Sequence, residues 1–193
     1  MTPPETSNAT ATLYVLDPGL SRFIVRAFAT GLLASLGHNP SFAIRQLAGE
    51  MRFAPDTPEQ SSVRMVVQTG SLELLDQVSD KDRGEIERTA RNEVFEVSRF
   101  PEIIFEASHP SLTKGGESLY WANMNGKLTI RGVTQPQQIT AQISVSGDQL
   151  RANGEFTVRQ SSFGIKPVSV AGGTLKIKDD VKVNFDLVAR KKE

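Results

Sequence analysis

The sequence predicts an all-β protein: an antiparallel barrel of about eight strands with one short helix between strands. Three observations carry this. Apolar residues alternate with polar ones at a period of two along most of the chain, the pattern of strands with one dry and one wet face. Clusters of Gly, Pro, Asn and Asp separate the runs at short intervals, so successive strands are joined by turns and pair antiparallel. Only Asp76–Glu96 is long, highly charged and free of proline, so the alternation of strand and helix that builds parallel sheets is absent. Interior glycines in the longer runs favour a barrel over a sandwich, because closed sheets must bend.

In order, Met1–Thr12 is a polar, proline-containing lead-in, and Leu13–Leu16 is a short apolar run ended by Asp17-Pro18-Gly19. Phe23, Val25 and Ala27 alternate through a strand over Ser21–Ala29. The run Gly31–Gly37 is apolar and glycine-bounded, one helical turn or a buried loop, and ends at His38-Asn39-Pro40. Phe42–Phe53 reads as a strand that Gly49 bends, Ala54–Ser61 as a loop, and Val63–Thr69 as a strand. In the charged segment, Ile86, Ala90 and Val94 fall four apart, a thin apolar stripe on one helical face, with Asp80 or Asp82 as the cap. Such a helix lies on a sheet or closes one end of a barrel. Phe100-Pro101 opens a strand with Ile103, Phe105 and Ala107; Lys114-Gly115-Gly116 turns the chain into Leu119–Ile130. Gly132–Pro136 supplies the next reversal, before Ile139, Ala141, Ile143 and Val145. Ser146–Asp148 turns into Leu150–Gln160, with Phe156 and Val158 inward. Phe163–Pro167 is a loop, and Leu175, Ile177 and then Val181–Leu187 complete the sheet before a solvated tail, Arg190–Glu193.

Composition narrows the function classes. The chain has 193 residues, 38% hydrophobic and 23% charged, enough for one packed domain. Lys+Arg and Asp+Glu number 22 each, a balance that argues against a nucleic-acid groove or a polybasic membrane patch. The lack of cysteine excludes disulfides, thiolate nucleophiles and Cys-ligated zinc. The N-terminus has neither a basic nor an apolar region of the secretory kind, so a cytoplasmic setting is expected, and no stretch is long enough to span a membrane.

The residues that could carry chemistry are few. His38 and His109 are the only histidines, and no motif supplies further metal ligands. Both read most simply as loop histidines; the sharper reading of His38 is a hydrogen-bond donor at a cavity mouth. No nucleophile elbow or triad order is present. Asp80, Asp82, Arg83, Glu85, Glu87, Arg88 and Arg91 have the spacing of a solvated helix face with charge pairs, or else Arg83 or Arg91 holds a ligand headgroup. The large apolar residues Phe23, Phe42, Met65, Phe105, Trp121, Met124, Phe156, Phe163 and Phe185 either fill the interior or line a cavity. Burial stabilises each by about 1.5–3 kcal/mol in both cases, so energy does not choose. Small barrels are usually filled.

Three segments resemble the YceI-like family: Gly126–Pro136 (GKLTIRGVTQP), Val94–Phe105 (VFEVSRFPEIIF) and Ser162–Ile165 (SFGI). The closing strand Val181–Val188 is similar too, and the resemblance covers about Leu13–Ala189, between the lead-in and the tail. It implies a lipocalin-like barrel with a lengthwise apolar cavity. The implied occupant is a long amphiphile such as an isoprenoid quinone, a polyprenyl chain or a fatty-acid-like lipid, bound without chemistry. It also allows a homodimer, and it places Gly126 inside one curved strand. The resulting candidate lipid-binding set is His38, Phe42, Met65, Arg83, Phe105, Trp121, Met124, Phe156, Phe163 and Phe185, with no catalytic or metal residue and no cofactor. An enzyme acting on such a lipid, or a filled-core interaction module, are the alternatives.

Overall fold

The computed structural model describes residues 11–30, 39–170 and 175–193. The strands are β1 (Thr12–Leu16), β2 (Arg22–Arg26), β3 (Ala29–Thr30), β4 (Ser41–Ile44), β5 (Leu47–Phe53), β6 (Ser62–Gln68), β7 (Leu72–Leu74), β8 (Glu102–Ser108), β9 (Ser111–Lys114), β10 (Leu119–Ile130), β11 (Val133–Ser146), β12 (Gln149–Arg159), β13 (Ser169–Val170), β14 (Leu175–Ile177) and β15 (Asp180–Lys191). Helix α1 (Asp80–Thr89) continues into a π-helical turn, Ala90–Val94. Its N-cap is Ser79, whose hydroxyl accepts from the Asp82 amide at 3.2 Å, one position before Asp80 and three before Asp82, the predicted caps.

Eight strands close into an antiparallel barrel in the order β1-β5-β6-β8-β10-β11-β12-β15, and β15 pairs back to β1. One edge of β15 holds two strands end to end: Ala189–Lys191 pairs with β1, and Lys182–Asp186 pairs with β2. From there β2 pairs with β4 and β4 with β7. At that end of the barrel the pairing stops at β7, and among the described residues no strand joins β7 to β8.

Helix α1 covers this open edge. The Glu87 carboxylate accepts from the Leu74 amide at 2.9 Å, Arg91 donates to the Leu72 carbonyl at 2.7 Å, and Arg83 donates to the carbonyls of Leu74 and Asp76. Three charged side chains four residues apart thus take the place of a missing strand. Replacing Glu87 with alanine strands the Leu74 amide and is expected to cost about 1–3 kcal/mol. Calorimetry checks this; an unchanged melting temperature would show that water takes over the role.

The periodicity predicts most of the sheet, and the differences have local causes. The strand expected over Ser21–Ala29 breaks after Arg26, because the Ala27 amide turns to the Pro40 carbonyl at 2.9 Å. Beyond the break, β3 joins β14 and β13 in a separate three-stranded sheet. The expected strand Phe42–Phe53 bends at Arg45-Gln46, between β4 and β5. Arg190 and Lys191 belong to β15, paired with β1, so the first half of the tail is sheet. The reversal expected over Gly132–Pro136 is tighter: only Arg131 and Gly132 lie between β10 and β11, at φ 51° and 74°. Two successive positive φ values give the primed turn whose twist suits a hairpin. Pro136 lies within β11, opposite Lys127. Pairing of β11 with β12 starts only at Ala141, so Pro136 occupies a stretch of β11 with no strand on that side and removes no ladder bond.

Inside the barrel, large side chains sit over glycines. A Cβ on Gly126 would lie 2.7 Å from the Glu106 carbonyl oxygen and clash with the edge of the Phe105 ring; one on Gly154 would lie 2.5 Å from the Thr140 carbonyl oxygen and 2.7 Å from the Phe185 ring. As the resemblance implies, Gly126 lies within one continuous strand. Its role there is close approach by a neighbouring strand and ring.

Candidate functional site

Among the described residues, two cavities lie in the barrel interior. The wider, about 770 Å³, lies at the end where α1 packs. Phe23 and Val25 of β2, Phe42 and Ile44 of β4, and Val158, Val181 and Val183 of β12 and β15 form its strand walls. Ile86, Ala90 and Val94 form its helical wall, so the apolar stripe read in the sequence faces the cavity. Polar groups lie among this lining: Gln77, Ser79, Asp82, Glu85 and Thr89 on the helix side, Gln160 and Lys176 across from them. The narrower cavity, about 110 Å³, is almost wholly apolar and lies towards the complete end of the ring, among Met51, Phe53, Met65, Phe105, Ala122, Met124 and Phe185. Phe23, Ile103, Leu128 and Phe156 line both.

Most predicted site residues reach these cavities. Phe42 lines the wide one; Met65, Phe105, Met124 and Phe185 line the narrow one; Phe156 touches both. Three do not fit. Trp121 is 45% exposed on the outer face of β10, because the even-numbered residues Ala122, Met124, Gly126, Leu128 and Ile130 point inward. Arg83 is spent on the β7 edge. Phe163 is only 3% exposed, yet it lines neither cavity and belongs to a 3-10 turn packed against β11. His38 lies outside the described residues. His109 is an exposed turn residue whose amide donates to the Ser61 carbonyl at 3.0 Å. Val25, Ile44, Ile86, Val94, Ile103 and Leu128 line the cavities as well, outside the candidate set. Period-two parity within each strand, and the helical stripe for Ile86 and Val94, carried the signal. The parity also makes a prediction: Trp121→Glu, on the outer wall, is expected to leave ligand uptake within about twofold of the parent, well under the tenfold that 1.4 kcal/mol represents.

Two solvent-exposed charge pairs join β12 and β15. Arg151 donates to Asp186 at 2.7 Å and Lys182 to Glu155 at 2.8 Å. The hydrogen bond from Arg151 holds the Asp186 carboxyl below its ordinary range, and bonds from Lys182 and Asn184 do the same for Glu155. Lowered carboxyl pKa values stabilise the fold above the unfolded value, near 4, and that contribution fades as pH falls through the folded value. Among the described residues no cluster of three or more His, Cys, Asp or Glu could hold a metal ion. Nor is any described helix long and apolar enough to cross a membrane.

The three segments singled out in the sequence meet beside the wide cavity. Arg131, in the β10–β11 turn, forms an ion pair with Glu96, just past the helix. The Phe100 ring lies against Gly132, within 3.3 Å of where a Cβ would stand. Thr69, almost fully buried, donates to the carbonyls of Phe100 and Pro101 at 3.1 and 2.9 Å. Gln135 donates to the Ser162 carbonyl at 3.1 Å. The motifs therefore latch the helix end, the hairpin tip and the late turn to one another. The family model described as YceI-like domain matches residues 14–189. The chain belongs to the YceI-like family. Among solved structures, BcnA of Burkholderia cenocepacia superposes with a TM-score of 0.68 at 19% identity, over 90% of this chain and 98% of that one. A polyisoprenoid binding domain from Saccharophagus degradans superposes with a TM-score of 0.67 at 14% identity, over 94% and 99%. Proteins called UPF0312 from Pseudomonas savastanoi and Pseudomonas syringae are 29% identical over 149 residues, 74% of this chain and 70% of theirs.

Proposed function

We propose that this YceI-like protein binds one long apolar amphiphile inside the barrel, as a carrier or store and without chemical conversion. The observation that carries the reading is the open apolar interior: a wide cavity with polar groups in its lining, and a second apolar cavity beyond it. Each methylene taken from water contributes up to about 0.8 kcal/mol, so a long tail supplies most of the affinity. A few polar groups then suffice to orient the head. The Saccharophagus degradans relative, described as a polyisoprenoid binding domain, makes an isoprenoid chain the first candidate, with acyl lipids next. Equilibrium binding of a polyprenol and of a fatty acid tests this. Saturable uptake of one probe per chain is expected; the absence of uptake of either would overturn the reading.

A further inference from the structure

We propose that the ring of Phe23, Ile103, Leu128 and Phe156 between the two cavities is a length gauge that decides how much of an apolar tail the barrel accepts. The inference rests on the binding reading above and adds a specificity element to it. These four residues line both cavities, so the two cavities adjoin at them. They come from four different strands, β2, β8, β10 and β12, and thus reach in from several sides of the barrel.

The ring is built to hold its shape. Leu128 stands opposite Phe105 in the β8–β10 ladder, and Phe105 covers Gly126. Phe156 stacks at a tilt on Phe185, 6.2 Å between centroids, and Phe185 covers Gly154. Phe23 stands opposite Phe185 in the β2–β15 ladder. Phe23, Leu128 and Phe156 therefore each have an aromatic neighbour that is itself wedged over a glycine, and Ile103 stands opposite Val67 in the β6–β8 ladder. Swinging one aside costs packing on the far side.

The wide cavity takes the first part of a tail freely. Beyond it, a longer tail must part the ring to enter the narrow cavity or leave its remainder in water. While the tail lengthens within the wide cavity, each further methylene raises affinity about fourfold. Once the tail meets the ring the gain stops.

A homologous series of fatty acids and polyprenols tests this on the full chain, read in two ways. The first is affinity against chain length for the parent, Phe156→Ala and Leu128→Ala. The second is methyl NMR of Met51, Met65 and Met124, all three of which line the narrow cavity and not the wide one. In the parent, affinity is expected to level off at one length, and the three methyls stay unshifted beyond it. In either variant the level-off moves to longer chains, the longest probes bind at least about tenfold tighter than to the parent (some two methylenes' worth), and the methyls shift. Parent methyls that shift with long chains while affinity keeps rising would overturn the gauge, whether or not the variants fold. So would an unmoved level-off in a folded variant. Failure of every probe to bind at any length would instead sink the binding reading itself.

Discussion

Val25→Trp is expected to cut the affinity for a long-chain probe by more than about tenfold while leaving the protein folded. Val25 lies on β2, half-buried, opposite Phe42 on β4 and Val183 on β15, and its side chain lines the wide cavity alone. An indole at this position enters space that is already empty, so it meets little of the strain that a larger residue brings to a filled core. It takes volume from the tail. Displacing two methylenes of contact is enough for about tenfold. Binding isotherms and thermal melts on the same preparation check both halves. Undiminished uptake in the folded variant would place the ligand elsewhere.

The second large effect is on stability. Gly154→Ala is expected to cost about 2–3 kcal/mol, a drop of roughly 4–12 °C in melting temperature. The new Cβ would stand 2.5 Å from the Thr140 carbonyl oxygen, a backbone atom of the neighbouring strand, and 2.7 Å from the Phe185 ring. The ring can tilt, but the strand cannot retreat without opening the β11–β12 ladder, which begins one residue away at Ala141. The displaced Phe185 would also press on Phe156, so the variant is expected to weaken long-chain uptake along with stability. A melting temperature equal to the parent's would show that the seam is looser than its geometry implies.

Much of this was legible in the sequence, because a barrel writes its inside and outside at a period of two. The inward set on β10 follows from Leu128 and Ile130 alone, counting back by twos through Gly126, Met124 and Ala122. The same count puts Trp121 outside; grouping it with Met124 by size ignored the pleat. Pro136 was readable in the same way. A proline inside an alternating run marks a strand with a free edge, and β11 is unpaired on one side there. The charged helix was read on its apolar stripe, which does face the cavity. Its other stripe, Arg83, Glu87 and Arg91, was not legible as an edge seal, because that role depends on β7 ending the sheet beside it. Which strand lacks a neighbour is a property of the closed barrel and leaves no local mark. The two cavities are likewise a matter of packing: the same phenylalanines fill a barrel or line it, depending on which glycines they cover.

Native mass spectrometry of freshly purified protein, followed by solvent extraction, bears most directly on the binding of one long apolar chain. The binding reading predicts a population one lipid heavier than the bare chain, which extraction converts to the bare mass and a polyprenyl or acyl probe restores. A protein that runs only at its bare mass and takes up neither probe would contradict it.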